Sequence, residues 1–154
     1  MQQAGLAGVP EQNLSIKLEI DTNPPAAAVR EKTIVNRHWL LAIQHHDLPS
    51  LMAGKLHVLL VRGYPKGRDW YDLVWYRARR PPVAPNLSLL QNALDQTEGK
   101  VSVEAGDWAQ VLRDRLRTLD CRALVADVEP FLERPEEASL LEEENILSVL
   151  GTVS

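Results

Sequence analysis

The chain is poor in the residues that mark several common protein classes. It has one cysteine, Cys121, in 154 residues, which excludes an intramolecular disulfide framework and a cysteine-based zinc site. No apolar run reaches the roughly 18 residues that suggest a membrane-spanning helix, and no basic-then-apolar leader opens the sequence. The expectation is a cytoplasmic protein with no membrane partner. Aromatic residues make up only 5% of the chain, with a single phenylalanine, so any aromatic cluster is a small one. There is no Gly-x-Ser-x-Gly elbow and no glycine-rich phosphate loop. His45 and His46 are adjacent on an extended segment and point to opposite sides, and neither they nor His57 find a third ligand at zinc spacing.

What is present is an ordinary supply of apolar residues and an uneven distribution of charge. The hydrophobic content of 45% is enough for one core in a chain of this length. The net charge of −4 hides a basic middle: residues 30–80 hold ten Lys/Arg against four acids, and the acids collect toward the C-terminus. A basic middle beside an acidic tail suits a polyanionic ligand such as a nucleotide or RNA, or else is scattered solvated charge.

The pattern along the chain changes from period two to the helical period. Residues 1–12 have no periodicity and read as a disordered start or a severed connection. From Asn13 to Asp21, Leu14, Ile16, Leu18 and Ile20 alternate with Ser15, Lys17, Glu19 and Asp21, the pattern of a half-buried strand. Thr22-Asn23-Pro24-Pro25 stops it. Two further strands are expected near 30–36 and 38–44. Asp47 is a candidate N-cap for a helix over about 48–62, with Pro49 tolerated in its first turn. After the turn Gly63-Tyr64-Pro65-Lys66-Gly67, a second helix is expected over about 68–79, ended by Pro81 and Pro82. Shorter helices follow: to Gln96, around Trp108–Leu119, at about 122–133 and at about 139–150. Strands first and helices after indicate an α+β fold, with strands over 13–46 and a helical part over 47–150 of a single domain.

Several charges sit where plain solvation does not require them. In the first helix Leu48, Leu51, Met52, Leu56, Val58, Leu59 and Leu60 form a broad apolar arc, and Lys55 falls inside it. An ammonium there needs a carboxylate, a phosphate or a path to water. In the second helix Trp70, Tyr71, Val74 and Trp75 read as a core face, with Asp69, Asp72 and Tyr76 opposite. The short turn brings the two helices antiparallel, so a contact between Lys55 and Asp72 is within reach. First-turn acids are also favoured by the helix dipole alone, which accounts for Asp69 better than for Asp72. On the first strand Lys17, Glu19 and Asp21 share a face, which is either a solvent face or an oxygen ligand beside a cation, as a metal–triphosphate site requires.

At these residues the sequence resembles the AbiEii/AbiGii toxin family. The resemblance lies in Leu14–Pro25, in His46–His57 with its Gly54-Lys55 pair, and in Lys66-Gly67-Arg68-Asp69-Trp70-Tyr71-Asp72. The closing stretches Asp127–Leu132 and Glu144–Leu147 extend it, and it covers residues 13–150. It implies the C-terminal part of a DNA-polymerase-β-like nucleotidyltransferase fold, acting in toxin–antitoxin or abortive-infection systems. The implied reaction moves nucleotides from NTP to the 3′ end of tRNA with Mg²⁺ in the complete enzyme, and a cognate antitoxin is an implied partner. Carried onto this sequence, the family's motifs make Lys55, Asp72 and Asp69 the catalytic candidates, Lys17, Lys55 and Arg68 the nucleotide-binding candidates, and Glu19 a metal carboxylate. The family's first motif, Gly-Ser followed by Asp-x-Asp, has no match, and no Asp-x-Asp occurs anywhere in the chain. The expectation is therefore a chain inactive alone: either a fragment, the product of a split or truncated gene, or a piece that works with a separate N-terminal half. The rival from another class is a non-catalytic interaction or RNA-binding remnant.

Overall fold

The structure, a computed structural model, describes residues 16–97 and 103–151. It is α+β: an antiparallel hairpin precedes a body of short helices. Strand β1 (Arg30–Asn36) pairs with β2 (Leu40–His46) in a register that sets Arg30 against His46 and Asn36 against Leu40. The second strand begins two residues later than its sequence pattern suggests, because Arg37, His38 and Trp39 are taken up by the turn. Helices α1 (Leu48–Val61), α2 (Gly67–Arg77), α3 (Leu87–Asp95), α4 (Trp108–Leu116), α5 (Cys121–Val128) and α6 (Glu143–Gly151) follow. Short 3₁₀ turns at Ala105–Asp107, Glu129–Phe131 and Pro135–Leu141 join the later ones. No described helix is long and apolar enough to cross a membrane.

The strand expected over Asn13–Asp21 is corrected. The irregular start over 1–12 and the first strand residues, 13–15, lie outside the described residues. Residues 16–21 join no ladder, and Ile16, Leu18 and Ile20 are 84%, 83% and 77% exposed. Alternation specifies which side chains share a face, but a strand also needs a neighbour to bond and a layer to cover it. Among the described residues β1 and β2 pair only with each other, so the segment has neither. After it the Asp21 side chain accepts from the Asn23 amide at 2.9 Å, ahead of Pro24-Pro25.

The helices form where caps and periodicity place them. Asp47 caps α1 by accepting from the Ser50 amide at 2.9 Å, and Asn86 caps α3 by accepting from Leu89 at 3.0 Å. Helix α1 lies at the centre, burying Met52, Ala53, Leu56, Leu59 and Leu60 against α3, α2 and α4. Leu51, Lys55 and Arg62 follow one another at intervals of four and seven on its less buried side. The apolar arc is thus narrower than the sequence indicated: Leu51 is 41% exposed and Lys55 stands beside the core instead of within it. Helix α2 corrects the aromatic face in the same way. Trp70, Leu73, Val74 and Arg77 form the buried stripe at i, i+3, i+4 and i+7, which turns Tyr76 inward and leaves Trp75 exposed.

Candidate functional site: a cationic cleft between the first two helices

The turn between α1 and α2 is held from both sides. The Arg115 guanidinium, from α4, donates to the carbonyls of Leu59 and Arg62, which the last turn of α1 leaves without intrahelical partners. The Arg62 side chain pairs with Asp69 in the first turn of α2. At the start of α2, the Gly67 amide donates to Asp127 Oδ2 of α5 at 2.7 Å, a cap supplied from 60 residues away. Gly67 also touches α5 directly, since a Cβ there would stand 2.0 Å from the Leu124 carbonyl oxygen. Lys66, Gly67 and Arg68 are thereby fixed at one end of the helical body.

Antiparallel packing of α1 on α2 then aligns two ion pairs like rungs. Arg62 meets Asp69 at the turn, and Lys55 Nζ meets Asp72 Oδ2 at 2.6 Å two helical turns deeper. The second pair is 44% and 36% exposed at its two side chains, so it faces solvent and not the core. Tyr76 lies behind it in the core. Burial, and next the Asp72 carboxylate, raise its phenol above the ordinary value, so it remains a neutral wall at neutral pH. Between the two rungs and the 3₁₀ turn after α5 opens a cleft of about 410 Å³ whose lining includes Lys55, Arg62, Lys66, Arg68, Asp69 and Asp72. The four cations outnumber the two acids. Lys66 and Arg68 make no ion pair among the described residues, which leaves uncompensated positive charge at the cleft mouth.

Four of the sequence candidates, Lys55, Arg68, Asp69 and Asp72, therefore meet in one cleft. The other two do not join them. Lys17 and Glu19 pair with each other on the exposed segment before the hairpin, and neither lines the cleft. Among the described residues no three His, Cys, Asp or Glu side chains come together to hold a metal. Glu19 pairs with Lys17 and belongs to no such group, so it does not by itself make a Mg²⁺ site.

Residues that sequence reasoning missed include Arg115, Asp127 and Tyr71. Tyr71 lines the cleft and donates its hydroxyl to Glu137 Oε2 at 2.6 Å, tying α2 to the 3₁₀ turn before α6. That bond, and then Arg134, hold the Glu137 carboxyl below its ordinary value, while the same bond and burial hold the Tyr71 phenol above its own. A depressed carboxyl contributes stability that is full above the ordinary carboxylate range and lost as pH falls through its folded value. A raised phenol contributes below its ordinary value and loses that contribution in strong alkali. Urea midpoints of wild type and Tyr71→Phe should therefore differ at neutral pH and converge in acid as Glu137 protonates. A difference of constant size from neutral pH to acid would show that the bond does not carry the linkage.

A second, larger cleft of about 930 Å³ lies on the other flank of α1, against residues 21–30 and α3. Asp21, Arg30, His46 and His57 are among its lining, and the His57 Nε2 lies 2.8 Å from Thr97 Oγ1. Thr97 in turn donates to the Ala93 carbonyl, which assigns the ring proton to Nε2. Burial lowers the His57 value, so the ring is neutral at neutral pH. Cys121 opens α5 with its thiol raised by burial and by Glu143 and Asp120, the opposite of a reactive thiolate.

No characterised protein and no solved structure matches the chain in comparison. The family model of the nucleotidyl transferase AbiEii toxin, type IV toxin–antitoxin system, does match, over residues 4–143. That span is most of the sequence, and it contains the cleft, both ion-pair rungs and the segment of Lys17 and Glu19: the chain belongs to the AbiEii nucleotidyltransferase toxin family.

Proposed function

We propose that this chain supplies the nucleotide- and acceptor-gripping part of a toxin that transfers nucleotides from NTP to the 3′ end of an RNA, tRNA being the expected acceptor. The observation that carries the reading is the arrangement at the cleft. Lys55 is held at the end of an ion pair that solvent can reach, and Lys66 and Arg68 line the same cleft with no ion pair among the described residues. A triphosphate can engage such a lysine without displacing Asp72, because the half-exposed ammonium has three donors and the carboxylate takes only one of them. Asp72 then positions the Lys55 ammonium and Asp69 the Arg62 guanidinium. Arg68 serves the phosphates.

The carboxylates for metal chemistry must come from outside these residues, since the chain has no Asp-x-Asp pair and Glu19 stands apart from the cleft lining. The expected result follows directly. The 154-residue chain incorporates no labelled nucleotide into tRNA with Mg²⁺ and any NTP. It does so when combined with a polypeptide carrying the family's Gly-Ser and Asp-x-Asp segment. EDTA-sensitive incorporation by the chain alone overturns the need for a second segment, and no incorporation in the combination overturns the transferase reading. The position of Glu19 favours one second reading, a non-catalytic module that binds RNA, which predicts RNA binding and no transfer in either mixture.

A further inference from the structure

Two exposed aromatic rings lie against cations of the basic cleft: Phe131 lines it, and Tyr64 packs on Arg62 and Lys66, which do. Tyr64, in the turn between α1 and α2, is 58% exposed, and Phe131, in the 3₁₀ turn after α5, is 64% exposed. Phe131 is the only phenylalanine of the chain, and it is absent from a core built from leucines, tryptophans and valines. Each ring lies against at least one cation. The Arg62 guanidinium lies 5.5 Å and the Lys66 ammonium 5.6 Å from the Tyr64 centroid, and the Arg68 guanidinium lies 4.9 Å from that of Phe131. Such contacts orient the rings but leave most of their apolar area in water.

The rings are also fixed relative to each other. Tyr64 belongs to the turn that Arg115 and the Arg62–Asp69 pair hold, and Phe131 follows α5, which Gly67 and Asp127 lock against the start of α2. Lys66 lies against the Tyr64 ring and Arg68 against the Phe131 ring, both line the cleft, and neither makes an ion pair among the described residues. In a single strand one base and two phosphates lie between the first and the third base, so two rings with a cation beside each can hold every second base. Bases inside a duplex already stack on their neighbours and offer no free face, so such platforms select unpaired nucleotides.

We propose that Tyr64 and Phe131 are stacking platforms for unpaired bases at the end of an RNA strand, with Lys66 and Arg68 on the intervening phosphates. The inference rests on the reading that the cleft takes an RNA acceptor, and it adds how that acceptor is recognised: as a single-stranded end and not a blunt duplex.

The test is fluorescence anisotropy with the full chain, using a labelled single-stranded RNA of about twelve nucleotides and its blunt duplex, across a salt series. The single strand should bind more tightly than the duplex. Tyr64→Ala and Phe131→Ala should each weaken single-strand binding about tenfold and leave the salt slope unchanged. Tyr64→Phe and Phe131→Tyr should retain wild-type binding, and Lys66→Ala should reduce the salt slope by about one. If an alanine variant melts early, Tyr64→Leu or Phe131→Leu keeps apolar volume while removing the π face, and should lose the same affinity. The proposal is overturned if wild type binds no RNA at low salt, if single strand and duplex bind alike, or if the ring variants bind as wild type does. Binding is read without transfer, so the two readings fail separately. A chain that binds through both rings but never transfers overturns only the transferase, and one that transfers while indifferent to both rings overturns only the platforms.

Discussion

Gly67→Ala is expected to lower the melting temperature by about 6–12 °C, the equivalent of about 3 kcal/mol in a domain of this size. The added Cβ would stand 2.0 Å from the Leu124 carbonyl oxygen, 3.0 Å from its carbon and 3.2 Å from the Val128 nitrogen. All three are backbone atoms of α5, so no rotamer change relieves the clash and α5 must move away from α2. Overpacking of this kind costs about 1–3 kcal/mol, occasionally more. The same movement lengthens the Gly67–Asp127 cap, whose loss costs about 1 kcal/mol more. Gly54 provides the control: a Cβ there meets nothing within 4 Å, and its helical position makes Gly54→Ala stabilising by up to about 1 kcal/mol. Thermal melts of both variants decide the matter. If Gly67→Ala melts within two or three degrees of wild type, the close approach of α5 does not hold the cleft.

That contact illustrates what the sequence could not reveal. The local features were legible because local physics makes them. Asp47 and Asn86 announce helix starts by the side-chain acceptors they offer, Pro81-Pro82 stops the second helix, and the hairpin strands follow from extended segments on either side of a short turn. The antiparallel packing of α1 on α2 followed from a short turn, and with it the meeting of Lys55 with Asp72. Gly67 reads in sequence as a turn residue, whereas its requirement comes from Leu124 and Asp127, about 60 residues away. Arg115 has no sequence mark that distinguishes it from Arg113 or Arg117, yet it alone of the three reaches the end of α1. The segment around Glu19 fails in the opposite direction: its alternation is clear, but pairing needs a partner that the described residues do not contain. Trp75 and Tyr76 exchange roles for a simpler reason. Neighbours on a helix differ by 100°, and the stripe that Trp70, Leu73, Val74 and Arg77 bury passes closer to Tyr76.

Lys55→Ala, in the combination with a polypeptide carrying the Gly-Ser and Asp-x-Asp segment, should reduce nucleotide transfer by about 100-fold or more while leaving the fold nearly unchanged. The rate effect is that of removing a charge-assisted contact at the reacting phosphates, worth a few kcal/mol of transition-state stabilisation where the donor is fixed in advance. Stability should respond quite differently. Truncating one member of a buried ion pair costs about 3–5 kcal/mol because a charge is stranded out of water. Lys55 and Asp72 are 44% and 36% exposed, so the freed Asp72 carboxylate hydrates, and solvent screening limits the loss to about 1 kcal/mol or less. At this chain length that is a shift of about 2–4 °C at most. Asp72→Asn provides the complementary measurement: it keeps the shape, releases the Lys55 ammonium, and should weaken transfer less than loss of the lysine does. A thermal melt beside a transfer assay on both variants separates the roles. A fall of ten degrees or more in Lys55→Ala, with transfer intact in the folded fraction, would make the lysine a structural partner of Asp72 and remove it from the chemistry.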